Sequence, residues 1–114
     1  MDELVDFLPR AQWREKGQHT SICNDENLKS VLVKFRSGLP DSLKGYELQA
    51  WKTTGNTKVK ETVAYLIPIL IIEGTARIIN GPLLVPGSKP IYFNEEIIIS
   101  GNLYYVLAYP PKSD

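Results

Sequence analysis

The run TVAYLIPILII, residues 62–72, restricts the fold more than any other stretch of this chain. A strand with one face in water alternates apolar and polar residues, whereas here apolar residues occupy both parities, so both faces must be covered. Pro68 rules out an uninterrupted helix and cannot donate a ladder hydrogen bond, and the flanking isoleucines and Val63 favour extended backbone. The stretch predicts a buried strand that bends, bulges or lies at an edge at Pro68. From Val63 to Ile72 it is only ten residues long, about half of what a membrane-spanning helix needs.

Two later runs repeat the two-sided pattern: NEEIIIS over 94–100 and NLYYVLAY over 102–109. A chain of 114 residues has the size of one domain and can bury roughly two thirds of its unfolded surface in one core. Double covering then has three sources: a barrel or sandwich, helices from residues 1–37, or a second copy of the chain.

Upstream, Tyr46 to Thr53 and Thr57 to Ile67 alternate on either side of Thr54-Gly55-Asn56, which predicts a hairpin. An Ile-Ile-X-Gly unit recurs at 71–74, 78–81 and 98–101, each reading as a tight turn after an aliphatic pair. Val85-Pro86-Gly87-Ser88 carries proline and glycine at the central positions of a type II turn. Pro110 and Pro111 end the last strand, and 112–114 reads as a frayed tail. Residues 28–36 fit a helical face (Leu28, Val31, Leu32, Phe35) and a strand (Val31, Val33, Phe35) equally. Residues 1–27, with Pro9 early and a polar stretch over 17–27, read as an N-terminal arm or linker. The fold expected is mainly β: a compact antiparallel barrel or sandwich of about five to seven short strands within 46–109, with one or two short helices in 1–37. The alternative is α+β, with a helix over 25–37 packed on an antiparallel sheet.

Catalytic chemistry finds little to stand on. Cys23 is the only cysteine and His19 the only histidine; their four-residue spacing suggests a ligand pair, but a zinc site needs three or four ligands. No phosphate-cradling or nucleophile-elbow motif occurs, and Glu95 and Glu96, being adjacent, point to opposite faces of a strand. The chain is therefore expected to be no enzyme and to use no metal or cofactor. A single cysteine and acids in the opening MDELVDFLPR, where a signal peptide would need a basic region, make the expected compartment the cytoplasm.

Charge supplies the remaining clue. The chain carries 13 basic and 13 acidic residues, yet residues 27–60 hold seven basic against Asp41 and Glu47. Lys44, Lys52, Lys58 and Lys60 lie on or beside the predicted hairpin together with Tyr46 and Trp51, the mixture of lysines and aromatics with which small β modules hold single-stranded nucleic acid. The zero net charge, set against the basic character usual for such binders, puts that reading second. The first is a non-enzymatic binding module acting through protein contacts or self-association, because two-sided apolar strands call for a covering surface. Tyr92, Tyr104, Tyr105 and Tyr109 are its candidate interface residues, tyrosine being enriched at interfaces.

Overall fold

A computed structural model describes residues 2–60 and 63–111. The chain runs through helix α1 (Asp2–Phe7), a 3-10 turn (Leu8–Arg10), strands β1 (Trp13–Glu15) and β2 (Thr20–Cys23), helix α2 (Leu28–Ser37) and a second 3-10 turn (Asp41–Leu43). Strands β3 (Glu47–Thr53), β4 (Asn56–Val59), β5 (Ala64–Ile78), β6 (Ile91–Phe93) and β7 (Ile97–Tyr109) follow. All seven strands form one antiparallel sheet in the order β1-β2-β3-β7-β5-β6, with β4 also paired to β7. The mainly β class read from the sequence is the one observed, with five of the seven strands inside 46–109. The frayed tail read for 112–114 lies outside the described residues.

Strand β7 organises the molecule. Leu103, Tyr105 and Leu107 point into one apolar core, shared with Val59, Leu66, Ala76, Ile78, Leu84 and Phe93. Tyr104, Val106 and Ala108 point into the other, shared with Ala50, Ile67 and Ile69 and covered by Leu4, Leu8, Leu32 and Phe35 of the helical segments. Period-two alternation on a strand buried on both faces produces this split. One face is covered by the helices; the other packs with Val59 of β4, Ile78 of β5, Phe93 of β6 and Leu84 from the segment between β5 and β6. The ambiguity at 28–36 resolves as α2, because a helix buries Leu32 and Phe35 while leaving Val33 68% exposed. Burial of the apolar stripe outweighs the weak β preference of the two valines.

The sequence reading needs several corrections. Residues 13–23, assigned to an arm or linker, form the β1–β2 hairpin, with Trp13 opposite Cys23 and Ile22 opposite Trp51. Tertiary partners hold it: the Trp13 indole N–H donates to the Leu8 carbonyl at 3.1 Å, and its ring lies 5.4 Å from that of Tyr104. The hairpin expected at 46–67 does not form. Thr53 pairs with Leu103 and Asn56 with Ser100, so β3 and β4 run along β7 in one unbroken register with a bend at Gly55. Thr57–Val59 belongs to β4, and Ala64 opens β5; Glu61 and Thr62 lie outside the described residues.

Gly74 and Gly101 also sit inside strands rather than at turns. With ladder partners on both sides, the extra conformational freedom of glycine bends a strand instead of reversing it. Gly101 has φ +131°, donates its N–H to the Gly55 carbonyl at 2.9 Å, and leaves space only for hydrogen where it crosses β5. Strand β5 shifts register against β7 directly after Pro68 and twice more before Arg77. A missing donor at Pro68 and a positive φ at Gly74 are the local reasons. Of the three Ile-Ile-X-Gly units, only Ile78–Gly81 makes a reversal, with Asn80 at φ +62° and the Leu84 N–H returning to the Ala76 carbonyl. The expected turn at 85–88 is present, closed by the Ser88 N–H on the Val85 carbonyl at 3.1 Å.

Candidate functional site

The bend at Gly55 opens the sheet. Strand β2 follows β3 as far as Thr20 opposite Thr53, and the Thr54 N–H still donates to the His19 carbonyl at 2.8 Å. Beyond that point β4 stays with β7, and the β1–β2 turn diverges from it. The wedge between the turn and the outer edge of β4 is a groove with two connected parts. One, of about 320 Å³, is lined by Lys16, Thr20, Trp51, Lys58, Val59, Lys60 and Leu107. The other, of about 300 Å³, lies between residues 16–20 and Asn56, Thr57 and Lys58.

Local geometry settles what the groove offers. Gly55 is bonded to Gly101, and on the other side of β7 the Ile98 carbonyl accepts from the Ile79 N–H. Alternation along an antiparallel ladder then turns the backbone groups of Thr57 and Val59 toward β7 and those of Asn56 and Lys58 toward the groove. Beneath lie three hydroxyls: Thr53 Oγ1 donates to Thr57 Oγ1 at 3.0 Å and stands 3.3 Å from Thr20 Oγ1. Trp51 is half-buried against Tyr105 and Leu107 of the second core, and its indole N–H donates to Gln49 Oε1 at 3.3 Å, which holds the ring in one orientation. Lys16, Lys58 and Lys60 are exposed, and among the described residues no carboxylate lines either part. The groove is cationic, with outward peptide N–H donors and one aromatic edge, while the Thr20 hydroxyl is spent on the Lys52 carbonyl at 3.4 Å.

Of the six residues named for nucleic-acid binding, the structure brings together Trp51, Lys58 and Lys60. Lys52, next to Trp51 on β3, points to the opposite face, its Nζ 5.9 Å from the Tyr104 ring. Lys44 and Tyr46 lie at the far end of β3: Lys44 pairs with Asp41 at 3.1 Å, and the Arg36 guanidinium donates to both the Lys44 and Tyr46 carbonyls. Lys16 and Thr20 were missed because they come from the segment read as a linker. Their only signal was the turn-forming Gly17 between two short extended pieces.

The four interface tyrosines disperse as well. Tyr104 and Tyr105 are buried in opposite cores and Tyr109 is half-buried, while Tyr92 is 51% exposed. Tyr104 and Tyr105 therefore offer no surface to a partner of the folded chain. Burial raises the pKa of the Tyr104 phenol, and burial also raises that of the Cys23 thiol, which a backbone hydrogen bond at Asp25 partly offsets. His19 lies in the β1–β2 turn and Cys23 ends β2, so the two do not share a helix face. Among the described residues no group of three or more His, Cys, Asp or Glu could hold a metal ion, and no helix is long and apolar enough to cross a membrane. Comparison with protein-family models, curated proteins and solved structures gave no match.

Proposed function

We propose that this chain is a small, non-enzymatic, cytoplasmic binding module whose groove between the β1–β2 turn and β4 holds single-stranded nucleic acid. One observation carries the reading: in a chain of zero net charge, Lys16, Lys58 and Lys60 arrive from two distant segments at one groove around Trp51, with no carboxylate lining it among the described residues. The lysines follow the phosphates, the outward Lys58 N–H supplies a short donor to a phosphate oxygen, and the Trp51 edge meets a base. The test is fluorescence anisotropy of a labelled single-stranded oligonucleotide over a salt series. Three phosphate contacts give a slope of log K against log[salt] of about −2. The triple variant Lys16→Ala, Lys58→Ala, Lys60→Ala should remove that slope, and Trp51 emission should quench with the oligonucleotide but not with an inorganic polyphosphate. No binding at low salt, or binding indifferent to the triple variant, sinks the reading.

A second reading, contact with protein or with a second copy, rests on the Ile78–Gly81 reversal, where Ile79 and Leu83 are exposed side by side with Val85. Light scattering of the wild type and of an Ile79→Asp, Leu83→Asp variant separates the two. A mass above one chain that the variant abolishes favours assembly.

A further inference from the structure

Asn80 is the only asparagine in the chain with glycine after it. The others precede Asp25, Leu28, Thr57, Glu95 or Leu103, whose side chains crowd the next peptide nitrogen, whereas the Gly81 nitrogen has no such neighbour. Asn80 itself is exposed, at φ +62° in the reversal that follows β5. Three hydrogen bonds close this reversal: the Gly81 N–H on the Ile78 carbonyl at 2.8 Å, the Ile78 N–H on the Pro82 carbonyl at 3.0 Å, and the Leu84 N–H on the Ala76 carbonyl at 2.8 Å. The last of them holds Leu84 buried in the second core.

We infer that Asn80-Gly81 is a self-modifying site, which the closed reversal holds back and each local opening releases. The Gly81 nitrogen, once its proton has passed to hydroxide, attacks Cγ of Asn80; the N–Cγ bond forms, the Cγ–Nδ2 bond breaks, and ammonia leaves with a proton taken from water. Water then opens the five-membered imide at either carbonyl, giving aspartate or isoaspartate, with one negative charge gained and no oxidant or reductant required. While the Gly81 N–H is donated to the Ile78 carbonyl its proton is withheld from hydroxide, so the ring closes only from the open turn. Opening is a local event here: Ile79, Asn80, Pro82 and Leu83 are all exposed, and such segments open at a small part of the global unfolding free energy. In isoaspartate the main chain runs through Cβ and Cγ and is one methylene longer. The three closing bonds then cannot all re-form, and Leu84 loses its anchor. The new carboxylate also stands beside the exposed Ile79 side chain.

The test is prolonged incubation of the folded chain at mildly alkaline pH beside a synthetic peptide of residues 74–86, in which no fold closes the turn. Mass spectrometry of the tryptic fragment follows the gain of about one dalton that replaces an amide by an acid, and enzymatic methylation identifies isoaspartate. Conversion in the folded chain should run roughly tenfold to a hundredfold slower than in the peptide, and the separated isoaspartyl form should unfold at lower urea than the unmodified chain. Asn80→Gly, which suits the positive φ, should show neither change. Conversion as fast as in the peptide overturns the gating. No conversion in the folded chain after about fifty peptide half-times overturns the site itself, and an isoaspartyl form as stable as its parent overturns the release of Leu84. The lysine groove takes no part in this measurement, so either proposal can fail without the other.

Discussion

At Gly101 the sheet depends on a missing side chain. A Cβ placed there would stand 2.7 Å from both Cα and Cβ of Ala76 and 2.8 Å from the Thr75 carbonyl oxygen, on a backbone at φ +131° that L residues rarely adopt. Gly55, one strand away, is tied to the same point by the Gly101 N–H and by Asn102 Oδ1, which accepts from its N–H at 2.9 Å. Gly101→Ala should therefore destabilise the fold by about 3 kcal/mol, combining strain at the backbone with a clash against another strand. Urea unfolding measures it; a loss below about 0.5 kcal/mol, the scale of a neutral surface change, would mean that the three strands do not bend together. Gly101 was visible in the sequence only as the end of an aliphatic pair, which reads identically whether the chain turns back or merely kinks.

Helix α2 shows how burial arbitrates between two local patterns. Its sequence serves a strand as well as a helix, and the helical face wins because Leu32 and Phe35 then join Leu4, Leu8 and Leu39 over β7. Phe35→Ala should cost about 3–5 kcal/mol through lost burial and the cavity left behind. Val33→Lys, at the exposed position a strand would have buried, should stay within about 0.5 kcal/mol. Thermal unfolding of the pair checks this; equal losses would place Val33 in the core and reverse the assignment. The hairpin misread at 46–67 has the complementary cause. Alternation identified both extended pieces correctly, but the choice between folding back and continuing along β7 belonged to a partner strand more than forty residues away.

The molecule as a whole responds to alkali through one core. Cys23 and Tyr104 both sit on the helix-covered side, and burial disfavours the charged form of each. Both folded-state pKa values are raised, so their contribution to stability is complete below about pH 8.5, the ordinary thiol pKa, and is lost as pH rises, the phenol joining above about 10. Cys23→Ala should flatten the first part of that decline and Tyr104→Phe the second, measured by urea unfolding between pH 7 and 11. Declines unchanged in both variants would assign the alkaline instability elsewhere.

Two-sided apolar strands in a chain of this length already required a mainly β fold with both faces of its central strand covered. The same residues marked Pro68 as a place where the ladder must break, because those requirements follow from side-chain polarity and a missing N–H. Which groups do the covering, which glycines reverse the chain, and which lysines share a groove were decided by tertiary pairing. Each depends on long-range registers, Trp51 against Tyr105, Gly55 against Gly101 and Thr20 against Thr53, whose free energy no local stretch of sequence contains.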